Sequence, residues 1–183
     1  MNTVSFVIGS WGSYNECNER ALGSKWLDFD EYDDWDAIVD ELKREGFELD
    51  GIDEELFVQD IEGIPTSSKD WDNTHPKEIF ELIKKSGVLD DDYKYELMES
   101  YCEVRSFDDW ARLVEDYDDG WDRDIIFYPN MSLLDVAYQI IDDCYDLESM
   151  LGNLTSYFDY NAFARDLSYD GYVETENGVI EMR

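Results

Sequence analysis

Asp28-Phe29-Asp30-Glu31-Tyr32-Asp33-Asp34-Trp35-Asp36-Ala37-Ile38-Val39-Asp40-Glu41-Leu42-Lys43-Arg44-Glu45-Gly46 holds both the fold signal and the charge signal of this chain. Trp35, Ile38, Val39 and Leu42 recur at i, i+3, i+4 and i+7, which predicts a helix with one buried stripe. Asp33 or Asp34 can cap its start, Lys43 and Arg44 suit the negative end of its dipole, and Gly46 stops it. Asp36, Asp40 and Glu41 stand between the apolar positions. No Lys or Arg interrupts the stretch between Lys25 and Lys43.

Upstream, Thr3 to Ile8 alternates, with Val4, Phe6 and Ile8 on one face, as a strand does. A Gly-, Ser- and Asn-rich loop is expected from Gly9 to about Gly23, then a short strand from Lys25 to Phe29. Leu56 to Ile61 reads as a third strand. Ile64 to Asn73, with Pro65 and two serines, reads as a linker. Pro76 opens a helix, as proline does in a first turn, with Ile79, Phe80 and Ile83 inward and Gly87 at its end. Asp90 starts another, with Tyr93, Leu97, Ser100 and Tyr101 on one face.

Ser106 with Asp109, and Ser132 with Asp135, give two near capping boxes. The first precedes Trp110, Leu113, Val114 and Tyr117. The second precedes Val136, Ala137, Ile140, Ile141 and Cys144. Between them Ile125 to Tyr128 is a short strand ended by Pro129. Asp159 or Asn161 opens a helix holding Phe163, Ala164 and Leu167. Tyr172 to Thr175 and Val179 to Met182 flank Asn177-Gly178, a strong hairpin signal. The expected class is α+β, in three small domains: 1–63 with a small sheet and one helix, 64–104 all helical, and 105–183 mixed.

The chain has 47 Asp and Glu against 14 Lys and Arg, a formal net charge of -33 over 183 residues. Such an excess repels itself in the compact state. Disorder is the first expectation for it, because charge without apolar residues cannot offset chain entropy. Here the hydrophobic fraction is 43% and the aromatic fraction 15%, so a core is affordable. A folded surface this negative repels nucleic acid and anionic lipid and attracts basic grooves. Duplex DNA carries one charge per ~1.7 Å, so a charge of -33 matches roughly 56 Å of duplex.

Nothing in the sequence favours catalysis. Gly9-Ser10-Trp11-Gly12-Ser13 lacks the spacing of a nucleophile elbow and lacks a phosphate-loop lysine. The one histidine, His75, precedes Pro76 at a helix start, where capping suits it. Cys17, Cys102 and Cys144 show no metal spacing and read as reduced cytosolic thiols. Cys102 and Cys144 are expected in the core, and Cys17, in a polar loop, is the one expected to be reactive. No metal or cofactor is expected. No secretory leader and no membrane span of ~18 apolar residues is visible. Asp166 to Asn177 resembles the start of a calcium loop, with oxygens at positions one, three and five and Gly171 at six. Asn177, however, stands where the bidentate glutamate belongs.

Three stretches resemble the ArdA antirestriction family. The first is Phe6-Val7-Ile8-Gly9 with Tyr14-Asn15 and Gly23-Ser24-Lys25-Trp26-Leu27-Asp28. The second is Leu56-Phe57-Val58-Gln59-Asp60 with Ile64-Pro65. The third is Tyr157-Phe158-Asp159-Tyr160-Asn161-Ala162-Phe163-Ala164-Arg165-Asp166-Leu167. The resemblance implies an elongated chain of three domains and a homodimer that imitates bent duplex DNA. It implies binding to the specificity and methyltransferase subunits of type I restriction-modification enzymes. It also implies an acidic helical antirestriction segment near the dimer contact, which falls on Leu89 to Tyr101. There Asp90, Asp91, Asp92, Tyr93, Leu97, Met98 and Tyr101 are the expected motif and interface residues.

The expected phosphate-mimicking carboxylates lie in three groups. Around the opening stretch they are Asp28, Asp30, Glu31, Asp33, Asp34, Asp36, Asp40 and Glu41. On the third strand they are Asp60 and Glu62. On the helix after Ser106 and beyond it they are Asp108, Asp109, Glu115, Asp116, Asp118 and Asp119. A cytoplasmic antirestriction protein that is not an enzyme is the leading expectation. An acidic calcium-responsive or halophilic binding module is the alternative.

Overall fold

The computed structural model describes residues 3–65 and 74–182. Most of the expected linker, residues 66–73, lies outside the described residues. The chain is α+β, as its patterns predict. It divides into two compact units, one of residues 1–95 and 106–121, the other of 96–105 and 122–183. The chain therefore crosses between units three times, a division different from the three consecutive sections read from the sequence.

The first unit is built on a three-stranded antiparallel sheet of order β2-β1-β3, with β1 Ser5–Ser10, β2 Leu27–Asp28 and β3 Leu56–Glu62. All of β1 is buried, because it is the central strand and both its faces are covered. β2 is only two residues long, so Ser24 completes that edge. Its N–H donates to the Ile8 carbonyl at 2.8 Å, and its Oγ accepts from the Ile8 N–H at 3.0 Å. The β1–β3 register shifts between Val7 and Ile8, which pair with Asp60 and Val58 and leave Gln59 as a bulge.

The region expected as a loop after β1 contains a helix, α1 (Trp11–Glu16), capped by Ser10. Its six residues are too few to show a helical period. Packing holds it: a Cβ on Gly12 would stand 1.9 Å from the Ile52 carbonyl oxygen, so only glycine admits this approach. The predicted helix follows as α2 (Trp35–Arg44), with Asp34 as its cap. α3 (Pro76–Ser86) starts at His75, whose Nδ1 accepts from the Lys77 N–H at 3.2 Å. α5 (Phe107–Tyr117) starts at Ser106. Phe6 meets Phe29 edge-on at 4.6 Å, and Phe29 meets Phe80 at 5.2 Å. Those contacts tie the sheet to α3. Trp110 is fully buried against Phe107 and Trp121, and the Trp121 Nε1–H donates to the Ser86 carbonyl.

The helix expected from Asp90 is α4 (Asp92–Val104); from Glu96 onward it belongs to the second unit. That unit also holds the antiparallel sheet β4-β6-β5, with β4 Ile126–Pro129, β5 Tyr172–Thr175 and β6 Gly178–Glu181. α6 (Leu133–Cys144), with a full Ser132–Asp135 capping box, packs on α8 (Tyr160–Tyr169), capped by Asp159. Val136, Ala137, Ala164, Leu167 and Val179 form their shared core. α7 (Leu147–Leu151) and a 3-10 turn at Gly152–Tyr157 lie between those helices, and both are too short to show a helical period in the sequence.

Two local expectations are corrected. The hairpin turn is Glu176-Asn177 rather than Asn177-Gly178, because Thr175 pairs with Gly178. Gly178 is itself the first residue of β6, and a Cβ there would stand 2.2 Å from the Tyr128 carbonyl oxygen. Close approach of β4 thus requires this glycine, rather than the turn. Cys144 is exposed: it ends α6 beyond Ile141, the last buried position of that helix. Cys102 is buried, which pushes its thiol up to about 12, and Cys17 is exposed.

Candidate functional site

Helix caps and apolar stripes decide which carboxylates face outward. Around α2, Asp30, Glu31, Asp33, Asp34, Asp36 and Asp40 are exposed and Asp28 is half-buried. Two of these have structural duties. Asp34 accepts from the Ala37 N–H at 2.9 Å as the α2 cap, and Asp28 accepts from the Asp30 N–H at 3.1 Å to close a 3-10 turn. On β3, Asp60 and Glu62 are exposed while Ile61 between them is buried, as alternation requires.

Glu41 behaves differently from its neighbours. Its side chain is turned inward and receives the Lys25 ammonium at 2.5 Å and the Arg44 guanidinium. The hydrogen bond from Lys25 holds its carboxyl below the usual range, against the opposing effect of burial. A carboxylate neutralised this way offers little charge to a partner.

On and after α5, Asp108, Glu115, Asp116, Asp118 and Asp119 are exposed and Asp109 is half-buried. Asp109 accepts from Ser106 and pairs with Arg112 at 3.2 Å. Asp118 pairs with Lys85 at 2.8 Å. Such surface pairs are worth ~1 kcal/mol or less each, so a stronger basic partner can displace them.

Asp90, Asp91 and Asp92 are exposed at the start of α4, and Tyr93 is 39% exposed. Tyr101 is half-buried. Leu97 and Met98 are fully buried within the chain itself. Their apolar area is already spent on folding, and Asp at either position would act on stability first. Exposed apolar side chains gather instead in α7 and its flanks: Tyr145, Met150, Leu151, Leu154 and Tyr157.

Asp53 carries no signal in the sequence, yet its carboxylate is fully buried. Burial alone would raise its pKa, but hydrogen bonds from the Ser13 hydroxyl, the Glu48 N–H and Ser10 outweigh that and lower it. Ser13 is also fully buried, so this Ser–Asp pair is a structural tie between α1 and the segment before β3.

The calcium-loop resemblance dissolves in the fold. Asp166 and Ser168 lie in α8, and Glu174 lies in β5, where its carboxylate accepts from the Leu133 N–H at 2.9 Å. Among the described residues no cluster of three or more His, Cys, Asp or Glu side chains is placed to hold a metal ion. No described helix is long and apolar enough to cross a membrane.

Fold and surface together define an acidic α+β protein whose core is apolar and whose outer face is dominated by carboxylates. More particularly, the chain belongs to the ArdA antirestriction family: that family's model, described as antirestriction protein (ArdA), matches residues 6–181. Membership implies an antirestriction function. None of the curated proteins compared with the chain matches it significantly.

Proposed function

We propose that this chain is a stoichiometric inhibitor that imitates duplex DNA and occupies the DNA groove of a type I restriction-modification enzyme, contacting its specificity and methyltransferase subunits. The observation that carries the reading is the exposure of the α2, β3 and α5 carboxylates on a folded surface within a chain of net charge -33. A groove that binds phosphates is lined by Lys and Arg. Carboxylates fixed by caps and buried stripes can meet those groups without offering bases to read. Nothing is cut or modified, so no cofactor is required.

The test is competition between the protein and a labelled duplex for a purified type I methyltransferase. Displacement of the duplex at near-stoichiometric protein is expected, and a duplex that stays bound at large excess overturns the reading. The inhibition constant should weaken steadily between low and moderate salt, because many screened charge pairs supply it. An inhibition constant indifferent to salt would mean an apolar interface.

We further propose a homodimer. With Leu97 and Met98 inside the chain, the apolar area open for association includes Met150, Leu154 and Tyr157. Two chains at -33 repel, so added salt should strengthen the dimer while it weakens enzyme binding. Leu154→Asp should yield monomers in sedimentation at both salt concentrations. A Leu154→Asp variant that stays dimeric would place the contact elsewhere.

A further inference from the structure

The exposed side of α6 carries Asp135, Tyr138 and Asp142 at i−3, i and i+4, so carboxylate, ring and carboxylate follow one another along a single stripe. Tyr138 is 46% exposed. Its ring stacks on Tyr160 of α8, with centroids 4.1 Å apart and planes at 25°. Tyr160 is in turn braced edge-on by Phe158 at 4.8 Å. One side of the Tyr138 ring is therefore held by a braced neighbour while nearly half of the residue faces water. Asp135 is engaged in the Ser132 capping box, which leaves Asp142 as the carboxylate one turn beyond the ring that has no capping duty.

No Lys or Arg occurs between Arg123 and Arg165, so this stretch of chain is wholly acidic in its charged groups. The occupant that fits is a cation. A guanidinium fits better than an ammonium: it is planar and weakly hydrated, and it stacks on aromatic faces while its N–H groups reach a carboxylate. Plain charge attracts Arg and Lys alike; a ring beside the charge separates them.

We propose that Tyr138 is a specificity-determining residue that, with Asp142, receives an arginine side chain of the target enzyme's basic groove. The inference rests on the function proposed above and names the partner group for this part of the surface. Because the ring is fixed before binding, little side-chain entropy is lost when the arginine docks. Aromatic positions with a fixed ring are where binding energy concentrates in protein interfaces.

The test uses the full chain and two ten-residue probes, an all-arginine and an all-lysine peptide, titrated calorimetrically at one moderate salt concentration. The wild type should bind the arginine peptide roughly three- to tenfold more tightly than the lysine peptide, the range expected of a partly desolvated cation–ring contact. Tyr138→Leu should lose that preference while binding the lysine peptide as before, and Tyr138→Phe should keep it. Equal binding of both peptides by the wild type, or a preference undiminished in Tyr138→Leu, overturns the inference. The same proteins are then compared in the duplex competition. If the wild type displaces DNA and Tyr138→Leu does so equally well, the arginine dock is wrong and the DNA-mimic reading stands. If the wild type fails to displace DNA, that reading falls, and the peptide titrations alone judge the dock.

Discussion

Converting Asp30, Glu31, Asp33, Asp36, Asp40 and Asp60 together to their amides is expected to weaken inhibition of a type I enzyme by roughly 100-fold, taking ~0.5 kcal/mol for each exposed charge. All six are exposed. The set leaves out Asp28 and Asp34, which cap backbone N–H groups, and Glu41, which is paired with Lys25 and Arg44. Loss of affinity in the variant therefore cannot be blamed on lost caps. Asp36→Asn alone should cost less than about fivefold, because no single exposed charge is worth more than ~1 kcal/mol. The same six changes remove self-repulsion, so thermal stability should hold or rise. Competition assays and a melting curve on one preparation read both effects. A six-fold amide variant that inhibits like the wild type would show that these carboxylates are only a solubility coat.

Asp53→Ala should have the largest effect on stability. The substitution leaves the Ser13 hydroxyl and the Glu48 N–H without their acceptor in a fully buried place. The expected cost is about 3 kcal/mol, the range for breaking a buried charged network. For a chain of this length that is a fall in Tm of roughly 6–12 °C. The carboxyl's pKa is lowered in the folded state, so the unfolded chain binds the proton more tightly. Its stabilising contribution is then complete above the unfolded value of ~4 and is lost as pH falls through the folded value. The gap in stability between wild type and Asp53→Asn should accordingly be constant near neutrality and close on acidification. Denaturant titrations of both proteins at several pH values give that gap directly. The difference matters more than either curve, because the exposed carboxylates also take up protons and relieve repulsion. A gap independent of pH would mean that the Asp53 carboxyl titrates alike in the folded and unfolded chains, so that its hydrogen bonds do not lower its pKa.

Local signals were enough for much of this protein. The stripe Trp35, Ile38, Val39 and Leu42 fixes α2; His75, Ser106, Ser132 and Asp159 mark the starts of α3, α5, α6 and α8. A cap and a helical period involve residues within a few positions of each other, so the sequence alone shows them. The net charge and the apolar fraction likewise settle that the chain folds with an acidic exterior. Tertiary structure decided what depends on distant partners. Ser13 and Asp53 lie 40 residues apart, and only the fold brings them together to make α1 a helix. Glu41 looks in sequence like its exposed neighbours, but Lys25, 16 residues earlier, draws it inward. Gly178 stands in a hairpin motif, yet the approach of Tyr128 from another strand is what requires it. Leu97 falls on a helical stripe with Met98 beside it, and periodicity tells which residues share a face but is silent on what covers that face. Burial is a property of the assembled core, and the core took them.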